Sequence, residues 1–144
     1  MSLVLKNLFL GSAFDAQDFL SLRQNNIKLI VNVTKDIHID DYRGLGFEDI
    51  KVIRIPIDDI HTESLNTNNL LNTTLETIKK YIEENKGVLV HCRAGISRSA
   101  SIVIAYLMKY HNLSFNQAHQ YLSSKRPIIN PNVGFISQLL NFKP

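Results

Sequence analysis

The residues with the clearest chemical potential lie between positions 88 and 99, where the single cysteine of the chain, Cys92, follows an apolar stretch. Arg98 comes shortly afterwards, where the next helical pattern begins. A free cysteine with a pKa of ~8.5 is only about 3% thiolate at pH 7. Backbone N–H groups that converge at a helix N-terminus, together with a guanidinium, stabilise a thiolate and also bind a phosphate dianion. The spacing therefore predicts a nucleophilic thiolate inside a phosphate-binding loop.

A lone cysteine is more often a small buried hydrophobic residue without chemistry. That alternative does not account for Gly95, Arg98 and Ser99 at these offsets after an apolar strand. Gly95 would let the loop approach a phosphate closely or adopt a positive φ. His91 by itself could be an ordinary buried histidine, and both interpretations predict that it is hydrogen-bonded and partly buried.

The run HCRAGISRS at positions 91–99 resembles the H-C-x-x-G-x-x-R-S signature of the cysteine-dependent protein tyrosine phosphatases. With the following alanine, the string HCRAGISRSA is similar to their dual-specificity branch. Four flanking segments resemble that branch as well: residues 55–59 upstream, and residues 126–127, 130–132 and 138–140 downstream. The resemblance extends from about residue 8 to residue 140. A bare C-x₅-R also occurs in rhodanese-like sulfurtransferases, so the specificity lies in the strand–loop–helix context and the flanks.

The resemblance implies a protein phosphatase in which Cys92 attacks phosphorus and forms a thiophosphoryl enzyme that water then hydrolyses. Arg98 would bind two equatorial phosphate oxygens with its planar fork, which a lysine could not do. The phosphate-binding N–H groups would belong to Arg93, Ala94, Gly95, Ile96, Ser97 and Arg98. Ser99 resembles the hydroxyl that hydrogen-bonds the departing thiolate in the second step, although a serine at a helix start can also make a local capping bond.

The leaving group also requires a general acid on a loop near the phosphate. Asp59 is the first candidate, because the family pattern Pro-x-x-Asp is matched from Pro56 to Asp59. Asp58 is the second candidate and Glu63 a third. The alternative is that both aspartates are solvated loop charges.

The resemblance assigns supporting positions to His91 and Asn132, and the expected loop geometry places a third residue, Arg93, at the surface. His91 would orient the loop and tune the thiolate. Asn132 would support the loop by hydrogen bonds, or would simply cap a short helix. Arg93 would face solvent, either as a partner for an acidic substrate residue or, the favoured interpretation, as a plain surface charge. The histidines show no metal-ligand spacing, and the implied mechanism needs neither metal nor cofactor.

Strand patterns that alternate with helix patterns predict an α/β fold with a central, mainly parallel sheet of about five strands and helices on both faces. Strands are predicted over residues 4–10 (an edge hairpin or two short strands), 27–33, 50–57 and 88–91, and an irregular connection over 37–48. Helices are predicted over residues 13–25, 70–82 with Gly87 as C-cap, 97–110, 114–124, and a short one capped by Asn132. The helix over 97–110 is apolar nearly all round and should be buried. A ligand site is expected at the C-terminal end of a central strand.

The length of 144 residues predicts one catalytic domain over residues 1–144. A net charge of +3 suits an anionic phosphoprotein substrate and does not indicate nucleic acid binding. One cysteine excludes an internal disulfide, and a working thiolate needs a reducing compartment. The sequence has no secretory signal pattern and no apolar run near the ~20 residues that span a bilayer. We therefore expect a cytoplasmic protein, able to enter the nucleus by diffusion, that does not bind membranes.

The main alternative to an enzyme is a pseudophosphatase that binds phosphoproteins without turnover, but Cys92, Arg98 and Asp59 are all present. Lipid-directed phosphatases of this fold tend to carry lysines inside the loop, where this chain has Ala94 and Ile96. Tyrosine-specific enzymes hold the ring in a deep cleft built partly by a segment ahead of the catalytic domain, and here the first strand pattern lies close to the first residue. We expect a shallow site that accepts phosphotyrosine, phosphoserine and phosphothreonine.

Overall fold

The computed structural model describes residues 1–39 and 41–144. The strands are β1 (Ser2–Leu5), β2 (Leu8–Gly11), β3 (Ile27–Asn32), β4 (Lys51–Arg54) and β5 (Gly87–His91). The helices are α1 (Phe19–Gln24), α2 (Leu71–Glu83), α3 (Arg98–His111), α4 (Phe115–Lys125) and α5 (Val133–Leu140). Single 3₁₀ turns occur at Asp15–Gln17, Arg43–Leu45 and Thr67–Asn69.

The five strands form one sheet in the order β1-β2-β5-β3-β4. β1 pairs with β2 in antiparallel fashion, and all the other pairs are parallel. β5 lies in the middle of the sheet, between β2 and β3, and is buried along its whole length. The prediction of a mainly parallel sheet is confirmed, and so is the hairpin at its start. The carboxyl ends of β2, β3, β4 and β5 therefore meet at one edge.

Alternate residues of the central strands divide the core between the two faces of the sheet, because successive side chains of a strand point in opposite directions. Val88 and Val90 pack in the larger cluster, with side chains from α2, α3, α4 and α5. Leu89 packs in the smaller cluster, with Leu22 of α1 and with Tyr42. Both faces are covered as predicted, but one face carries four helices and the other carries α1 and the connection after β3.

α3 is the central helix of the larger face. Every residue from Arg98 to Met108 is buried, which confirms the prediction from its apolar composition. α4, close to the helix predicted over residues 114–124, begins with a capping box in which Ser114 and Gln117 bond each other's backbone N–H groups. No helix within residues 1–39 and 41–144 is both long and apolar enough to cross a bilayer.

The predicted helix over residues 13–25 is too long. The chain makes one 3₁₀ turn at Asp15–Gln17, leaves helical geometry at Asp18 (φ −84°, ψ 83°), and begins α1 only at Phe19. Local side-chain bonds favour this break. The Asp15 carboxylate accepts the Ser12 N–H, and the Asp18 carboxylate caps α1 by accepting the Ser21 N–H.

The prediction that Gly87 caps α2 is wrong. The helix ends at Glu83, Asn85 adopts the positive φ (59°), and Gly87 opens β5. A Cβ atom at Gly87 would lie 2.5 Å from the carbonyl oxygen of Asn25, so close approach of two backbones explains the glycine. β4 is also shorter than the predicted strand over residues 50–57, because pairing stops before Pro56. The predicted irregular connection over 37–48 contains the turn Arg43–Leu45, and Asp40 lies outside the described residues.

Candidate active site

The predicted phosphate-binding loop lies at the carboxyl edge of the sheet. β5 ends at His91, Cys92 follows at once, and α3 begins at Arg98. We call residues 92–98 the phosphate loop. The central strand and the buried helix hold its two ends, so the tertiary core fixes the distance between the thiol and the helix N-terminus.

All carbonyl groups from Cys92 to Ser97 are bonded to groups outside the loop. Three of these carbonyl oxygens accept backbone N–H groups: that of Arg93 from Ala13 (3.0 Å), that of Ile96 from Asn130 (2.7 Å) and that of Ser97 from Ser101 (3.0 Å). The carbonyl oxygens of Ala94 and Gly95 accept hydrogen bonds from the Arg126 side chain. The Cys92 carbonyl oxygen accepts a hydrogen bond from His91 Nδ1. No peptide bond of the described chain is cis, and a trans peptide directs its N–H opposite to its C=O. The N–H groups of the loop are therefore directed inwards, where they can bind an anion.

Cys92 is 3% exposed, and its Sγ lies 3.0 Å from Ser99 Oγ. Burial raises the pKa of the thiol, but the Ser99 hydroxyl, the N–H groups of Ser99 and Gly95, and the charge of Arg98 together outweigh burial and lower the pKa. The Ser99 side chain is buried and contacts the sulfur, so its predicted position beside the thiolate is found in place of a helix-capping bond. The site thus has the electrostatics of an activated nucleophile.

Arg98 is 8% exposed and is attached to the neighbouring loop that follows β4. Its Nη1 donates to the carbonyl oxygen of Ile57 over 3.1 Å. The same nitrogen lies 4.0 Å from Asp36 Oδ1, in the connection after β3. The Arg98 guanidinium is therefore bonded to the loop after β4 and lies close to the connection after β3, and both of these segments lie on the same side of β5.

The structure separates the three candidate acids. Asp59 is exposed, and its Oδ1 accepts a hydrogen bond from Asn132 Nδ2 (2.9 Å). Asp58 pairs with Lys35 (3.3 Å), and Glu63 accepts both the Asp58 N–H (2.9 Å) and the Lys35 ammonium (3.2 Å). The Asp58 N–H and then the Lys35 ammonium lower the pKa of Glu63 against a smaller opposing effect of burial. Asp59 is thus the candidate connected to the phosphate loop.

Asn132 makes both kinds of contact that the sequence left open: it caps a helix, and it bonds the phosphate loop. Its side-chain oxygen accepts the Phe135 N–H and caps α5 (2.9 Å), which confirms the predicted cap. Its backbone N–H donates to Ser97 Oγ (3.0 Å), and its amide nitrogen donates to Asp59. The residue supports the phosphate loop through its backbone and holds the candidate acid through its side chain.

His91 is fully buried, and its Nδ1 donates to the carbonyl oxygen of Cys92 (3.2 Å). Burial lowers the pKa of the imidazole, with Arg54 acting in the same direction, while the bond to Cys92 and the charge of Asp15 oppose this. Nε2 is buried without a hydrogen-bond partner among the described residues, as a bare ring nitrogen of a neutral imidazole can be. His91 is thus bonded to the carbonyl group of the candidate nucleophile.

Arg93 forms an ion pair with Asp36, which the sequence analysis did not select. The hydrogen bond that Arg93 donates is the largest of the effects that lower the pKa of Asp36. A usable signal existed, because Asp36 follows β3, the neighbour of β5, and parallel neighbours end at the same edge. Arg126 belongs to a flanking segment to which the sequence assigns no role, and no local pattern predicts its contacts with Ala94 and Gly95. Within the described ranges, no group of three His, Cys, Asp or Glu side chains is placed to hold a metal ion.

A thiol of lowered pKa, inward N–H groups and a buried arginine meet at the end of a central parallel strand, where they could bind an anion beside a candidate nucleophile. The model of the dual specificity phosphatase catalytic domain matches residues 8–144. The chain is 37% identical to human dual specificity protein phosphatase 21 over 142 residues, covering 99% of this chain and 71% of that protein. It is 37% identical to mouse dual specificity protein phosphatase 18 over 144 residues, covering 99% and 72%.

Solved structures of similar proteins superpose on this chain as well. Human DUSP28 superposes with a TM-score of 0.87 at 33% identity, covering 98% of this chain and 94% of that one. A human tyrosine phosphatase-like serine/threonine/tyrosine-interacting protein gives a TM-score of 0.87 at 30% identity, covering 98% and 93%. The chain belongs to the dual specificity phosphatase family. It is a protein phosphatase, and its substrates are phosphoproteins.

Proposed function

We propose that the enzyme hydrolyses phosphotyrosine, phosphoserine and phosphothreonine through a thiophosphoryl intermediate on Cys92. The observation that carries the proposal is the environment of that sulfur. It is buried beside the Ser99 hydroxyl and the Gly95 N–H, in a loop whose carbonyl groups are all bonded outwards. Such a loop binds the substrate dianion and stabilises the thiolate with the same donors.

In the first step the Cys92 thiolate attacks phosphorus in line. The S–P bond forms as the P–O bond to the leaving group breaks, and Asp59 gives its proton to the leaving oxygen. Arg98 holds two equatorial oxygens with its fork, and the loop N–H groups bind the others. The Arg98–Ile57 bond supports this geometry because it holds the loop of Asp59 against the phosphate loop.

In the second step water attacks phosphorus. A new P–O bond forms, the S–P bond breaks, and the Asp59 carboxylate takes the proton of the water. The Ser99 hydroxyl keeps its proton and donates a hydrogen bond to the departing thiolate, which the 3.0 Å contact supports. The phosphate then dissociates from the loop, and Cys92 returns as a thiolate.

The proposed breadth of substrates rests on the surroundings of the loop. Arg93, Ala94 and Ile96 are exposed, and the Arg93–Asp36 pair beside them is also exposed, with side chains that are 64% and 53% accessible. Low walls of this kind would let the short side chains of phosphoserine and phosphothreonine reach the sulfur. A thiolate enzyme also needs reducing conditions, so we propose a cytoplasmic site of action with no requirement for a membrane or nucleic acid partner.

The similarity to a phosphatase-like interacting protein raises the alternative of phosphoprotein binding without turnover. Overall similarity does not separate the two, because both share the fold. The distinction depends on Cys92, Arg98 and Asp59, which are all present. Arg98 bonds the Ile57 carbonyl, two residues before Asp59, and Asp59 is bonded by Asn132. The presence of all three residues supports turnover as well as binding.

Hydrolysis of a small aryl phosphate by the purified protein tests the chemistry. Cys92→Ser should abolish turnover and keep the affinity for orthophosphate, because the N–H groups remain. Arg98→Lys should lose both, since a point charge cannot replace the bidentate fork. Either variant within tenfold of the parent kcat would contradict the mechanism.

The substrate range is tested by kcat/KM on matched phosphopeptides that differ only in the phosphorylated residue. We expect activity on all three, fastest for phosphotyrosine because a phenol leaves more easily than an aliphatic alkoxide. Strict selectivity for phosphotyrosine, or a strong preference for lipid or RNA phosphates, would contradict dual specificity.

A further inference from the structure

Arg126 lies just beyond α4, yet its guanidinium reaches the phosphate loop. Its Nε donates to the carbonyl oxygen of Gly95 over 2.9 Å, and its Nη2 donates to that of Ala94 over 3.2 Å. The remaining terminal nitrogen, Nη1, donates to Ser2 Oγ in β1 over 3.0 Å. The side chain thus spans the loop and the edge of the sheet.

The Ala94 carbonyl and the Gly95 N–H belong to one peptide group, and the Gly95 carbonyl and the Ile96 N–H belong to the next. Because a trans peptide directs its N–H opposite to its C=O, a donor that pulls the carbonyls outwards turns these N–H groups inwards. The Gly95 N–H is one of the groups that lower the pKa of Cys92, which agrees with an inward direction of the first of the two peptides. No other donor of the described chain bonds these two carbonyl oxygens.

Gly95 itself shows how close this contact is. Its φ is +69°, and an added Cβ would lie 2.6 Å from Arg126 Nη2 and 2.6 Å from the carbonyl oxygen of Gly11. The loop therefore packs directly on the guanidinium with no side chain between them. A fork with two parallel donors matches two consecutive carbonyls, whereas an ammonium has no fixed pair of directions.

We propose that Arg126 is a positioning residue of the phosphate loop, which aims the Gly95 and Ile96 N–H groups at the bound phosphate and at the Cys92 sulfur. It acts from behind the loop and does not touch the substrate. The inference rests on the proposed function, in that the anion concerned is the phosphate of the substrate. Arg126 lies outside the signature sequence at residues 91–99 and far from it along the chain.

Three variants test the assignment. Arg126→Ala removes the fork. Arg126→Lys keeps the positive charge and most of the aliphatic packing but not the paired donors. Ser2→Ala is the matched control, because it removes the bond to β1 and leaves the loop carbonyls bonded. Two readouts do not depend on turnover: the dissociation constant of orthophosphate, from its protection of Cys92 against iodoacetate, and the pH midpoint of that alkylation. The melting temperature of each variant shows whether it is folded.

We expect Arg126→Ala and Arg126→Lys to weaken orthophosphate binding by about tenfold or more, the order of a lost charge-assisted hydrogen bond, and to move the alkylation midpoint to higher pH. Ser2→Ala should match the wild type in both readouts. The inference is overturned if the lysine variant keeps wild-type phosphate affinity and alkylation midpoint, because charge alone would then suffice. It is equally overturned if Ser2→Ala reproduces the losses, because the residue would then be an anchor of β1.

Neither readout requires catalysis. A wild-type protein that binds orthophosphate but hydrolyses no phosphoester would contradict the proposed function, and the comparison of the Arg126 variants would still decide this inference.

Discussion

Asn132 holds Asp59 by a 2.9 Å hydrogen bond from its side-chain amide, while its own backbone N–H is bonded to Ser97 in the phosphate loop. The candidate acid is therefore connected to the phosphate loop through a single residue. The adjacent Asp58 is drawn to Lys35 instead. Two neighbouring carboxylates of the same type thus have different surroundings, and this difference can be tested.

Asp59→Asn should lower kcat on phosphotyrosine by roughly 10²–10⁴, the range of general acid catalysis. Asp58→Asn is the matched control and should change kcat little, because its carboxylate is paired with Lys35. The loss at Asp59 should shrink for an ester with a very acidic leaving group, which needs no proton. A larger loss at Asp58 would reverse the assignment.

Asn132→Ser should separate the two contacts of that side chain. Serine caps helices about as well as asparagine, so the melting temperature should change little. It is too short to reach Asp59, so we expect kcat to fall several-fold. Asn132→Ala should also lose about 1 kcal/mol of unfolding free energy. Unchanged kcat in a folded Asn132→Ser protein would show that the bond to Asp59 is dispensable.

Ser99→Ala removes the hydroxyl that contacts the Cys92 sulfur. Burial raises the pKa of Cys92, and the Ser99 side-chain hydrogen bond is the largest of the effects that lower it. The pH midpoint of alkylation should therefore rise in the variant. Breakdown of the intermediate should slow by about tenfold, the order of one hydrogen bond to a charged group. Rapid-quench measurement should show accumulated phosphoenzyme, and its absence would argue against a role in the second step.

Gly95→Ala should be strongly destabilising, because it combines a positive φ (+69°) with contacts of 2.6 Å to Arg126 and Gly11. Gly44→Ala is a suitable control, since an added Cβ there meets nothing within 4 Å. We expect a free-energy loss of at least about 1–2 kcal/mol for the first and less than about 0.5 kcal/mol for the second. Equal melting temperatures would contradict the packing described for the loop.

The buried imidazole of His91 should make stability depend on pH. Its pKa in the folded protein is below the ordinary value of 6.5, chiefly because burial disfavours the imidazolium. As pH falls below about 6.5 the unfolded chain binds a proton that the folded protein does not, so the free energy of unfolding should decrease until the folded-state pKa is passed. Urea unfolding between pH 7.5 and 5 measures this slope, and His91→Asn should reduce it. An equal slope in that variant would assign the effect to other groups.

Much of the fold and the centre of the site could be predicted, because their signals are local. A strand, a tight loop and a helix in immediate succession place Cys92 and Arg98 without knowledge of any distant contact. The caps of α4 and α5 are encoded within four residues, and the apolar composition of α3 predicts its burial. The predictions failed where a local pattern was weak, as at the start of α1, or where a glycine served a distant backbone contact, as at Gly87.

The candidate nucleophile, the candidate phosphate loop and the succession of strands and helices around them could be predicted from the sequence, because each depends on neighbours in the chain. The contacts that hold the loop could be seen only in the folded structure. Asp36 pairs with Arg93 from the connection after β3, Asn132 bonds Asp59 and not Asp58, and Arg126 bonds two carbonyl groups of the loop. These contacts join residues that are far apart in the chain, and their geometry is set by the packing of the sheet and helices, which no local pattern records.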